Sequence, residues 1–88
     1  MRYQLFRRAS ALVKGGEFMY TGFYVSNDHI YGRSGYTKFH ISDGHIYGPS
    51  GYSKFYISDG HIYGPNGYTK CYLSDEHIYG PAEALPWT

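Results

Sequence analysis

From Phe23 onward the chain alternates apolar and polar residues in short runs broken by glycine-containing turns, the pattern of strands buried on one face. The run from Phe39 to Tyr47 shows the logic. Asp43-Gly44 is a preferred pair for a two-residue type I′ turn, which needs positive φ at both central positions. A hairpin about that turn sets Ser42 opposite His45, Ile41 opposite Ile46 and His40 opposite Tyr47. Side chains alternate faces along a strand, so Phe39, Ile41 and Ile46 share one face, while Tyr36, Lys38, His40 and Tyr47 share the other. The same reading yields four apolar triplets: Phe23, Val25, Ile30; Phe39, Ile41, Ile46; Phe55, Ile57, Ile62; and Cys71, Leu73, Ile78. These are the expected core. Gly48-Pro49-Ser50-Gly51 and Gly64-Pro65-Asn66-Gly67 read as tight reverse turns between hairpins, so neighbouring strands are expected to be antiparallel.

The triplets recur because the chain repeats with a period of sixteen residues, over 23–38, 39–54, 55–70 and 71–86. The second and third units differ only at 40/56, 50/66 and 53/69. A fixed-length repeat implies one supersecondary element per unit, stabilised by its neighbours, with atypical terminal units. The outer units are indeed atypical: Arg33 stands where the others carry Pro49, Pro65 and Pro81, and the last unit ends in Ala82-Glu83-Ala84-Leu85-Pro86-Trp87. Trp87 is expected to cover the end of the last hairpin. Residues 1–19 lie outside the repeat. Leu5, Phe6, Ala9, Leu12 and Val13 fall on one helical face before Gly15-Gly16, which predicts a short capping helix, with a hairpin as the competing assignment. The whole chain, 1–88, reads as a single domain.

Composition narrows the function classes. Twelve tyrosines, five phenylalanines and one tryptophan among 88 residues argue against disorder, and a formal charge of +1 disfavours nucleic acid as a partner. The charge is uneven: residues 1–19 carry +3 (Arg2, Arg7, Arg8 and Lys14 against Glu17), and the rest carry −2. No apolar run reaches the eighteen or so residues of a membrane span and no secretory leader is visible, so the expected setting is cytoplasmic, without a membrane partner. A single cysteine excludes an internal disulfide; Cys71 stands at a phenylalanine position and is expected to be a small buried hydrophobe. Twelve modest core side chains are few against the entropy of ordering the backbone. The tyrosine face, the N-terminal segment or a second copy of the chain must therefore contribute, and unpaired edge strands would favour a homo-oligomer.

Two columns of residues carry candidate chemistry. His29, His45, His61 and His77 each follow a hairpin turn, and a pseudo-fourfold axis could bring four imidazoles together as a transition-metal site. The structural alternative is that each histidine packs beside tyrosine and bonds to its own turn. Tyr36, Tyr47, Tyr52, Tyr56, Tyr63, Tyr68 and Tyr72 form rows of amphipathic rings suited to stacking on sugars, with Lys38, Lys54 and Lys70 on the same face. Their structural alternative is cross-strand pairing within the sheet. Ser42-Asp43-Gly44-His45 and its repeats hold the residue types of a catalytic triad, but neighbours on one turn cannot surround a reacting group, and no cofactor motif is present.

The stretch YISDGHIYGPNGYTK (residues 56–70) and its copies resemble the small bacterial domains described as four-fold β-flowers, over about Tyr20 to Pro81. That resemblance implies four hairpins around a pseudo-fourfold axis; the family has no assigned activity, so no functional residue carries over. The expectation is an all-β chain of four antiparallel hairpin repeats, around such an axis or in a meander. It is expected to be a non-enzymatic structural or protein-interaction module, with carbohydrate binding by the tyrosines as the alternative and metal binding by the histidines as the third reading.

Overall fold

Each hairpin turn takes the left-handed conformation at both central positions: φ is 54° and 66° at Asn27-Asp28, 53° and 80° at Asp43-Gly44, 54° and 80° at Asp59-Gly60, and 55° and 69° at Asp75-Glu76. These are the type I′ turns expected from Asp-Gly, whose twist matches that of the flanking strands. A computed structural model describes residues 19–88, so the helix or hairpin expected over 1–19 lies outside the described residues except for Met19. Eight strands follow in order: β1 (Tyr20–Ser26), β2 (His29–Gly32), β3 (Gly35–Ser42), β4 (His45–Gly48), β5 (Gly51–Ser58), β6 (His61–Gly64), β7 (Gly67–Ser74) and β8 (His77–Tyr79). Each pairs antiparallel with the next, and β8 pairs with β1, closing an up-and-down barrel. The expected register holds, with Ile41 opposite Ile46 and Ile57 opposite Ile62.

Closure depends on a distortion repeated in every unit. Between β2 and β3, Tyr31 pairs with Tyr36 while Ile30 pairs with Phe39, so Thr37 and Lys38 bulge out of the ladder. Thr37 Oγ1 bridges the gap, donating to the Ile30 carbonyl (2.7 Å) and accepting from the Phe39 amide (3.1 Å). Ser53, Thr69 and Thr21 make the same two bonds in the other units. The residue after each hydroxyl is left-handed: φ is 77° at Lys38, 75° at Lys54, 73° at Lys70 and 93° at Gly22. Bulges bend a strand and increase its twist, and four of them turn short strands around a small circle. Each hairpin also bonds to the next through its turn. The Asp28, Gly44 and Gly60 carbonyls accept from the Ile41, Ile57 and Leu73 amides, and Glu76 accepts from Val25 across the closure.

An eight-stranded barrel has an interior just wide enough for side chains. Ile30, Ile46, Ile62 and Ile78 fill it and are fully buried, with Cys71 and Leu85 beside them. The other expected core residues, Phe23, Val25, Phe39, Ile41, Phe55, Ile57 and Leu73, pack partly buried against this cluster. Phe23, Phe39 and Phe55 lie over Gly32, Gly48 and Gly64; a Cβ there would stand 2.6, 2.5 and 2.8 Å from ring carbons. At the fourth position the chain turns inward at Gly80-Pro81 over the small Cys71, whose Sγ lies 3.3 Å from the Pro81 carbonyl oxygen as donor. A short 3-10 turn (Ala82–Ala84) then carries Leu85 into the core and sets Trp87 against the rings of Phe23 and Phe39. The tail thus plugs the barrel, a larger role than covering the last hairpin.

One expectation is corrected. Because β1 pairs with β8, the described residues leave no unpaired edge strand in the barrel.

The left-handed lysines lead to a stability prediction. A side chain in this conformation costs about 1–2 kcal/mol, partly offset on changing to glycine by the greater freedom of the unfolded chain. Lys38→Gly, Lys54→Gly and Lys70→Gly, which copy Gly22 into the other units, are each expected to raise unfolding free energy by about 0.5–1 kcal/mol, additively because the sites are separate. Urea midpoints of the single and triple variants check this.

Candidate binding surface

Since the isoleucines occupy the interior, the alternate residues of every strand point outward, and these are almost all aromatic. Across each hairpin two rings stack: Tyr24 on Tyr31 (5.6 Å between centroids), His40 on Tyr47 (5.6 Å), Tyr56 on Tyr63 (5.2 Å) and Tyr72 on Tyr79 (5.5 Å). Between hairpins the rings tilt, Tyr31 to Tyr36, Tyr47 to Tyr52, Tyr63 to Tyr68 and Tyr79 to Tyr20, at 5.3–5.5 Å. Each post-turn histidine meets the last of these tyrosines edge-on: His29 with Tyr36, His45 with Tyr52, His61 with Tyr68 and His77 with Tyr20. Looser contacts complete the circuit, from His29 to His40, His45 to Tyr56, His61 to Tyr72 and His77 to Tyr24. The result is a continuous belt of eleven tyrosines and all five histidines around the outer wall.

The belt is held in place and still open to solvent. Edge-on and offset contacts at these distances are the favourable arrangements of aromatic rings. Tyr20, Tyr24, Tyr36, Tyr52, Tyr56 and Tyr68 remain 38–43 % exposed. Each post-turn histidine has its Nδ1 2.8–2.9 Å from the carbonyl of its own turn, on Asn27, Asp43, Asp59 or Asp75. A carbonyl oxygen only accepts, so Nδ1–H donates, and in the neutral ring Nε2 carries the lone pair. The seven tyrosines expected to form a binding face all lie in this belt. Tyr20, Tyr24, Tyr31, Tyr79 and the histidines belong to it as well, and the sixteen-residue period was the signal that places them there.

The expected ring of histidines about the axis does not form. His29, His45, His61 and His77 are exposed on four separate hairpins, and the axis is occupied by isoleucine. Among the described residues, no group of three or more His, Cys, Asp or Glu is placed to hold a metal ion. Also among them, no helix is long and apolar enough to cross a membrane.

Below the belt, at the plugged end, three shallow pockets recur beneath the turns between hairpins. Phe23, Arg33, Tyr36, Thr37 and Trp87 line one of about 340 Å³. Phe55, Asn66, Tyr68, Lys70 and Ala84 line another of about 360 Å³. Phe39, Ser50, Tyr52, Ser53 and Pro86 line a third of about 270 Å³. Each offers an aromatic wall beside turn polar groups. Cys71 is absent from all three; burial raises its thiol pKa, outweighing a hydrogen bond with Thr69, which leaves it a poor nucleophile. No protein-family model, curated protein or solved structure matches the chain.

Proposed function

We propose that this barrel is a non-enzymatic, cytoplasmic structural module that assembles with further copies of itself through its aromatic belt. The belt is the observation that carries the reading. A continuous exposed aromatic surface is unusual on a monomer and marks an interaction face. Tyrosine and histidine are each able to donate and accept hydrogen bonds, so the belt is complementary to itself, and a net charge of +1 offers little repulsion between copies. Four hairpins closed in a ring also favour membership of the four-fold β-flower domains. Light scattering over a concentration series is expected to give a mass above that of the 10.1 kDa chain. Tyr36→Thr, Tyr52→Thr and Tyr68→Thr together are expected to return it to the monomer with its strand signal intact. A monomer mass at every micromolar concentration overturns this reading.

The pockets favour a second reading, carbohydrate binding, because each sets an aromatic wall beside hydroxyl, amide or cationic groups. Tyrosine and Trp87 fluorescence unchanged across a glycan panel removes it.

A further inference from the structure

His40 breaks the repeat. Tyr24, Tyr56 and Tyr72 stand at the equivalent position in the other units, and the change to histidine is one of three differences between the second unit and the third. His40 is the cross-strand partner of His29, and their ring centroids lie 6.2 Å apart. For nitrogens about 2.0–2.1 Å from a shared metal, two imidazole centroids would lie roughly 4.5–6.4 Å apart as the ligand angle opens from 90° to 180°. The observed separation lies at the open end of that range, so binding a metal calls for the two rings to rotate closer together.

We propose that His29 and His40 form a two-histidine site for a divalent transition-metal ion on the outer wall, independent of the belt's role in assembly. The bond from His29 Nδ1–H to the Asn27 carbonyl (2.8 Å) fixes the tautomer that exposes Nε2 as a ligand, the arrangement that supports histidine in many metal sites. His40 stacks on Tyr47 and makes a looser, tilted contact with His29, and neither contact occupies its ring nitrogens. Among the described residues no third His, Cys, Asp or Glu completes a cluster, so the metal keeps open positions for water or an exogenous ligand. Imidazole ligands suit copper, nickel and zinc, and copper(II) binds tightest in the general order of affinities. The remaining post-turn histidines face tyrosine at this position and form no such pair.

Calorimetric titration of the full chain with copper(II) tests the site, using His40→Tyr as the main variant because three units already fold with tyrosine there. The wild type is expected to bind one equivalent, and electron paramagnetic resonance to show nitrogen coupling from two imidazoles. Losing even a supporting partner weakens metal sites about 10–100-fold, so His40→Tyr and His29→Gln are each expected to lose at least about tenfold in affinity. His45→Gln is expected to bind like the wild type. Absence of binding by the wild type, equal affinity in His40→Tyr, or loss in His45→Gln alone overturns the assignment.

Discussion

Trp87→Ala is expected to cost about 3–5 kcal/mol and Leu85→Ala about 2–5 kcal/mol, although both residues lie beyond the last strand. The plug is part of the core. Leu85 is 3 % exposed within the isoleucine cluster, and Trp87 meets Phe23 and Phe39 with centroid distances of 5.6 Å to each. Without them the phenylalanine end of the barrel opens to water. A domain of this size has a total stability on the order of 5–10 kcal/mol, so the double variant is expected to be largely unfolded at room temperature. Trp87→Phe separates packing from polarity. Trp87 Nε1 is buried without a hydrogen-bond partner, and phenylalanine removes that donor while keeping much of the ring. Its cost in urea denaturation should be well below that of alanine; a loss under about 1 kcal/mol for Trp87→Ala would show that the tail is not part of the core.

Gly80→Ala is expected to destabilise by more than about 3 kcal/mol, among the largest effects of adding one methyl group to this chain. Gly80 has φ of 123°, which side-chain-bearing residues avoid, and a Cβ would lie 2.6 Å from the Lys70 carbonyl oxygen and 2.8 Å from Cys71 Cα. Those atoms belong to β7 and cannot move without breaking the ladder. Gly48→Ala provides the comparison: its Cβ would meet the Phe39 ring at 2.5 Å, and a side chain yields more readily than backbone. Gly80→Ala should therefore cost more than Gly48→Ala in thermal unfolding. Cys71→Phe restores the residue of the other units yet is expected to lose about 1–3 kcal/mol, because the inward turn at Gly80-Pro81 takes up the space a ring would need. If Cys71→Phe proved stabilising, the fourth unit would have to close like the first three.

These effects separate what the residues declare from what only three-dimensional packing reveals. Asp43-Gly44 and Asp59-Gly60 state their turn type, and the turn sets the pairing of Ile41 with Ile46 and Ile57 with Ile62. Face assignment by alternation survived an irregularity that alternation does not detect. The bulge adds two residues, such as Thr37 and Lys38, and an insertion of two leaves the parity unchanged. Its trace was Gly22, which stands at the lysine position and marks a left-handed backbone. Barrel closure left no such local mark, because Tyr20 and Tyr79 are distant in sequence and their pairing follows from twist accumulated over all the strands. For the candidate sites, the tyrosine columns were legible from the period, and their outward direction followed from the isoleucines facing inward. The convergence imagined for the histidines failed for the same reason: on a strand, the face opposite the core cannot point at the axis.

The belt and the closure meet at one place, the seam between the first and last strands. His77 on β8 lies with its ring 5.3 Å from Tyr20 and 6.3 Å from Tyr24 on β1, residues more than fifty positions away in the chain. Nuclear Overhauser spectroscopy of the His77 ring is the most direct test of a closed, aromatic-walled barrel. Cross-peaks to the rings of both Tyr20 and Tyr24, with a slowly exchanging Val25 amide bonded to Glu76, are the expected result. A His77 ring that contacts neither tyrosine, beside a freely exchanging Val25 amide, would contradict closure and with it the continuous belt.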